Sequence, residues 1–95
     1  MKVEGEIYEE FTKRSCRHLA PGKSYVVIKS FTDYDGVEHP TGEEWIFRGS
    51  NFNPYDDGQT LYAEVAGETH VFRLQDRPEE QGAILEKLEE YLRLL

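Results

Sequence analysis

The sequence predicts an α+β fold: a small, strongly bent antiparallel β-barrel of four to five strands, with a helix before it and a helix after it. Three observations carry this expectation. Nine of the twelve aromatic residues fall between Tyr25 and Phe72, and aromatics favour strands. The apolar pattern alternates in that stretch, as a strand with one buried face requires. At both ends the apolar spacing widens to a helical period. With 95 residues the chain is read as a single domain, residues 1–95, because that length supplies one core and not two.

The elements are expected in order. Residues 4–18 read as an amphipathic N-terminal helix, with Ile7, Phe11, Ser15 and Leu19 at helical spacing. Glu9–Lys13 and Glu10–Arg14 are acid-first i,i+4 pairs. Pro21-Gly22 stops that helix. A β core follows over residues 24–74. Its strands are Ser24–Phe31, Glu44–Arg48, Thr60–Val65 and Thr69–Leu74, the last two joined by a tight Ala66-Gly67-Glu68 turn. Two long polar connections, 32–43 and 49–58, carry the turn formers Gly36, Pro40, Gly42 and Gly58. A C-terminal helix over 77–93 closes the chain. Asp76 is its expected N-cap, Pro78 sits in its first turn, and Ile84, Leu85, Leu88, Tyr91, Leu92 and Leu95 form its apolar stripe.

Charge narrows the function classes. The formal net charge is -8, the opposite of the basic footprint that phosphates demand, so neither nucleic acid nor an anionic membrane is an expected partner. No apolar run approaches the roughly 20 residues of a membrane-spanning helix, and the Met1–Glu6 start lacks the apolar core of a signal peptide. A cytoplasmic location is expected. The excess charge is localised. Residues 33–68 hold nine Asp/Glu and one Arg, a net charge of -8, whereas residues 1–32 and 69–95 carry +2 and -2. The acidic segment is also the aromatic one.

Motifs for chemistry are absent or incomplete. Read as a calcium loop around Gly36, the chain places Phe31 and Gly42 at ligand positions, and both fail. Read around Gly58, Asn53, Asp57 and Glu64 fit but Tyr55 does not. His18, His39 and His70 are scattered, and Cys16 is the single cysteine, so no disulfide or cysteine-type zinc site is available within the chain. The paired acids Glu43-Glu44, Asp56-Asp57, Glu79-Glu80 and Glu89-Glu90 read as solvated neighbours. No phosphate loop, dinucleotide fingerprint or nucleophile elbow occurs. No cofactor, metal or catalytic residue is expected, and the chain reads as non-enzymatic.

The string Phe31-Thr32-Asp33-Tyr34-Asp35-Gly36, followed by His39-Pro40, Gly42-Glu43, Trp45, Phe47, Asn51-Phe52 and Pro54-Tyr55-Asp56-Asp57-Gly58, resembles a family of small bacterial domains of unknown function. Arg73-Leu74-Gln75, Glu80-Gln81-Gly82 and Ile84 are similar to it as well. The resemblance spans about residues 19–92; it implies a bacterial source and one compact domain, and no activity. The run from Phe31 to Asp35 into a long acidic loop, then Gly42-Glu43 and an aromatic strand, also resembles SH3 domains. That likeness implies an SH3-like barrel without proline-peptide recognition.

The most direct functional expectation is a non-catalytic protein-binding module. Asp33, Tyr34, Asp35, Trp45, Tyr55, Asp56 and Asp57 would form its acidic and aromatic surface, fitted to a basic protein or peptide. Against it stands the reading in which Trp45, Phe47 and Phe52 are core and the loop acids merely solubilise the chain; for Trp45 and Phe47 the core reading is the favoured one. Two other classes compete: an acidic inhibitor or immunity-type protein against a basic toxin or nuclease, and a small-ligand or metal-dependent enzyme using the acidic loops.

Overall fold

The computed structural model describes residues 13–95. The chain runs through β1 (Ser24–Val27), β2 (Phe31–Thr32), β3 (Glu38–His39), β4 (Glu44–Asn53), β5 (Gly58–Val65), β6 (Glu68–Gln75), the single-turn helix α1 (Gly82–Glu86), a 3-10 turn at Leu88–Glu90, and β7 (Leu92–Leu94). A five-stranded sheet has the order β6-β5-β4-β1-β7, with every pairing antiparallel; β2 and β3 form a separate hairpin. The sheet keeps two edges, β6 and β7, so it does not close into the expected barrel.

The β core follows the alternation in the sequence. Trp45, Phe47, Leu61, Ala63, Phe72 and Leu74 all point inward, at 4% exposure or less. A register shift between Phe47 and Gly49 lets β4 bend and run on to Asn53. The expected 49–58 loop therefore shrinks to a turn after Asn53, since β4 pairs with β5 down to Asn53–Gly58. The first expected strand, 24–31, is broken. β1 ends at Val27, and Phe31 joins the hairpin, pairing with His39 inside what reads as a loop.

Both expected helices need correction. Residues 4–12 of the N-terminal helix lie outside the described residues. Residues 13–18 are not helical: Cys16 and Leu19 exchange backbone hydrogen bonds (3.0 and 2.8 Å) around a tight turn, and Arg17 has a φ of 54°. Leu19 is fully buried.

The 77–93 helix is reduced to α1, the 3-10 turn and β7. The helical geometry breaks at Lys87 (φ -121°, ψ 38°). Asp76 caps nothing there, because α1 starts only at Gly82 and has no side-chain cap. The physical cause is the outer edge of β1. Its N–H and C=O groups need partners that a helix cannot give. β7 supplies them, with Val26 opposite Arg93, Ile28 N–H donating to the Tyr91 carbonyl (2.8 Å) and Leu95 N–H donating to the Ser24 carbonyl (2.9 Å). Leu85, Leu88 and Leu92 still reach the core, each at 1% exposure or less. Half of the expected stripe is thus buried, by a different backbone; Ile84 and Tyr91 are partly buried, and Leu95 is 62% exposed. Among the described residues no helix is long and apolar enough to cross a membrane.

Candidate functional site

The seven residues singled out from the sequence divide into two groups. Asp33 and Trp45 are interior, at 3% and 1% exposure. Trp45 stacks on Phe72 with ring centres 4.9 Å apart, and its indole N–H donates to Glu43 Oε1 at 2.6 Å. Neither residue belongs to a surface.

Asp33 organises the β2–β3 hairpin. Its Oδ1 accepts the backbone N–H groups of Asp35 (2.9 Å) and Val37 (3.0 Å). Its Oδ2 lies 2.9 Å from His39 Nε2. The other ring nitrogen, Nδ1, lies 2.8 Å from Glu43 Oε1. His39 is 1% exposed, stacked on Phe31 (4.8 Å) and met edge-on by Phe72 (4.4 Å) and Trp45 (5.6 Å). Asp33 and His39 are buried and Glu43 is partly exposed, and each is hydrogen-bonded, the condition under which such a polar cluster stabilises a fold.

The remaining five stay outside. Tyr34 is 48% exposed and Tyr55 97%. Asp35 makes a two-pronged ion pair with Arg73 of β6 (Nε–Oδ2 3.0 Å, plus Nη2–Oδ1). That hydrogen bonding to Arg73 holds the Asp35 carboxyl below its ordinary range, with burial opposing it. The Arg73 guanidinium also sits over the Tyr34 ring at 5.9 Å, and the Tyr34 N–H donates to the Arg73 carbonyl (2.7 Å). The hairpin tip is thereby fastened to the edge of β6.

The 54–57 turn is fastened in the same way. Asp56 Oδ1 accepts the Gly58 N–H (2.9 Å), and the Asp56 carbonyl accepts from the side chains of Gln75 and Arg77. Asp57, at a φ of 56°, meets Arg77 Nε at 3.3 Å. Between tip and turn lies a groove of about 490 Å³ whose walls include Tyr34, Asn53, Asp56, Thr60, Arg73 and Arg77.

Sequence reasoning missed Arg73, Arg77, His39 and Glu43 as members of these arrangements. The first two carry no motif, and they reach acids 38 and 20 positions away in the chain. The pairing of β5 with β6 was the available signal, since it places Arg73 opposite Thr60 and Gln75 opposite Gly58, next to the turn. Several acids of the middle segment thus face a basic side chain, while the segment stays net acidic. Asp33 and Glu43 face His39, Asp35 faces Arg73, Asp57 faces Arg77, and Glu64 faces Arg48 at 2.6 Å. Among the described residues no group of three or more His, Cys, Asp or Glu could hold a metal ion.

The family described as Domain of unknown function (DUF3601) matches residues 8–95. The chain belongs to this family. Among solved structures, an integron cassette protein, VCH_CASS4, from the mobile metagenome of Vibrio cholerae is similar to this DUF3601 domain. The two are 32% identical, and the match covers 92% of this chain and 97% of that one with a TM-score of 0.89. No curated protein matches this DUF3601 domain. An open five-stranded sheet with a separate hairpin, and no closed barrel, replaces the SH3-like expectation.

Proposed function

We propose that this DUF3601 domain is a non-catalytic protein-binding module whose recognition face is the groove between the hairpin tip and the 54–57 turn. The observation that carries this reading is Tyr55, 97% exposed on the turn whose next residue, Asp56, lines the groove, with Tyr34 half-exposed in the groove wall. A tyrosine left wholly outside the core contributes nothing to packing, whereas aromatic side chains are the usual anchors of protein interfaces. The groove walls are pre-arranged by ion pairs and turn hydrogen bonds, which lowers the ordering cost of binding.

A basic partner suits the net charge of -8, which attracts cations at long range. At contact, Asp57 is open to exchange, because its link to Arg77 is one 3.3 Å contact between groups that are each over 40% exposed. Immobilised domain, wild type against the Tyr34→Ala/Tyr55→Ala double variant, should be compared for capture of cationic proteins at low and high salt. Capture that is lost in the variant and weakened by salt is expected. Equal capture by both forms overturns the reading. Tight retention of one protein alone would indicate an inhibitor, and weak retention of several a module.

A further inference from the structure

We infer that the groove between the hairpin tip and the 54–57 turn seats the C-terminal residue of a partner polypeptide, with its terminal carboxylate on Arg73 and Arg77 and its basic side chain on Asp57. This deepens the recognition reading above and rests on it.

The cations come from the end of β6. The register of β6 on β5 sets Arg73 opposite Thr60 and Gln75 opposite Gly58. Arg73, and Arg77 just beyond the strand, thereby reach the groove that Thr60 and Gly58 also line. In a chain of net charge -8, this wall holds two guanidiniums and a single carboxylate, Asp56. Both arginines are half in water, with side chains 51% and 44% exposed.

Neither guanidinium is used up. Each has five N–H donors. Arg73 gives two to Asp35, from Nε and Nη2. Arg77 gives one to Asp57 and one to the Asp56 carbonyl, both at 3.3 Å. Three donors of each are therefore unclaimed among the described residues. The aspartates also fix where the two forks stand, so a ligand has less ordering to impose. A planar guanidinium matches a carboxylate with two parallel bonds. Asn53 adds to the donors, since its Oδ1 accepts the Tyr55 N–H (3.0 Å) and its amide N–H groups are left to donate.

The acids decide what accompanies the carboxylate. Asp35, Asp56 and Asp57 outnumber Arg73 and Arg77. A bare anion is therefore disfavoured by its surroundings, and a bare cation meets the guanidiniums. A group that carries both charges satisfies the wall and its rim together. Asp57 is the rim acid with the weaker hold, one 3.3 Å contact against the two bonds of Asp35. Because Asp57 and Arg77 touch each other, the two charges of the ligand must lie close together. The terminal carboxylate and side-chain cation of one lysine or arginine meet that need. A groove of about 490 Å³ has the bulk of a small-ligand site, which suits a chain end rather than a passing chain. Capture of C-terminal carboxylates is a recurring mode of peptide recognition.

The test is fluorescence anisotropy at low salt with an N-terminally labelled glycine-serine peptide ending in lysine. Its C-terminal amide and a version ending in alanine are the comparisons. The free acid should bind about tenfold more tightly than the amide, and the lysine form roughly threefold more tightly than the alanine form. Arg73→Gln/Arg77→Gln should abolish the preference for the free acid. Asp57→Asn should abolish the preference for lysine and keep that for the free acid; asparagine also accepts the left-handed φ of 56° at this position. Equal binding of acid and amide overturns the inference, as do preferences that persist in these variants. Free lysine held as tightly as the peptide also overturns it, by assigning the groove to a small molecule. Should the peptides fail while cationic proteins are still captured through Tyr34 and Tyr55, this inference falls and the recognition reading stands.

Discussion

Asp35 and Arg73 form a two-pronged ion pair that ties the tip of the β2–β3 hairpin to the middle of β6. One carboxylate and one guanidinium thus join the separate hairpin to the main sheet. The pair is half in water, with side chains 32% and 51% exposed, which limits its strength.

Its pH dependence has a definite sign. Hydrogen bonding to Arg73 lowers the Asp35 carboxyl in the folded state. The contribution is therefore full above the ordinary carboxylate range and is lost as pH falls through the lowered folded value. Exposed pairs are worth about 0.2–1 kcal/mol, so Asp35→Asn should cost no more than that at neutral pH. The difference from wild type should vanish in acid. Urea midpoints measured across pH 2–7 check this (about the window of carboxylate titration); a gap that persists at the acid end contradicts it.

Cys16 should be inert. It is 6% exposed, and burial pushes its thiol up to about 11, with Arg17 opposing and Asp76 reinforcing the shift. A thiol reacts as its thiolate. Labelling by a disulfide reagent at mildly alkaline pH should be slow in the native protein and prompt after denaturation. Prompt labelling of the native form would refute the burial argument.

Ala66 carries backbone strain. It has a φ of 53° in the two-residue turn it forms with Gly67 between β5 and β6. A left-handed alanine costs roughly 1–2 kcal/mol, and Asn-Gly is the favoured pair for such turns. Ala66→Asn should raise stability by about 0.5–1 kcal/mol. An unchanged or lower denaturation midpoint counts against it.

Asp76 separates the expected from the observed C-terminus. As the N-cap of a helix over 77–93, its loss would cost about 1 kcal/mol. In the structure it caps no helix, and its backbone N–H donates to the Asp57 carbonyl (2.8 Å) whatever the side chain. Asp76→Ala should therefore change stability by less than about 0.5 kcal/mol. A loss near the full cap value would restore the helix.

The strands were legible where burial on one face imposes a period of two: Trp45 and Phe47, Leu61 and Ala63, Phe72 and Leu74. The family likeness was legible at the level of a domain of unknown function. The C-terminal segment was not legible, because Leu85, Leu88 and Leu92 satisfy a helical period, and Leu92–Leu94 serves a strand equally well. Only the unpaired edge of β1, a tertiary fact, decides between them. The acids misled for the same reason. Asp33 and Glu43 look like solvated loop residues until the hairpin folds His39 between them, and Asp35 looks unpaired until β6 brings Arg73 alongside.

The pairing of β7 with β1 also fixes the order of events during synthesis. β1 leaves the ribosome early, yet its outer partner consists of residues 92–94. Until these emerge, Val26 presents an open backbone edge, and Leu92 cannot take its buried place. Non-local pairing of this kind slows folding and leaves a sticky intermediate. A nascent chain stalled before residue 92 should expose that edge, which makes residues 92–94 a checkpoint on the whole sheet.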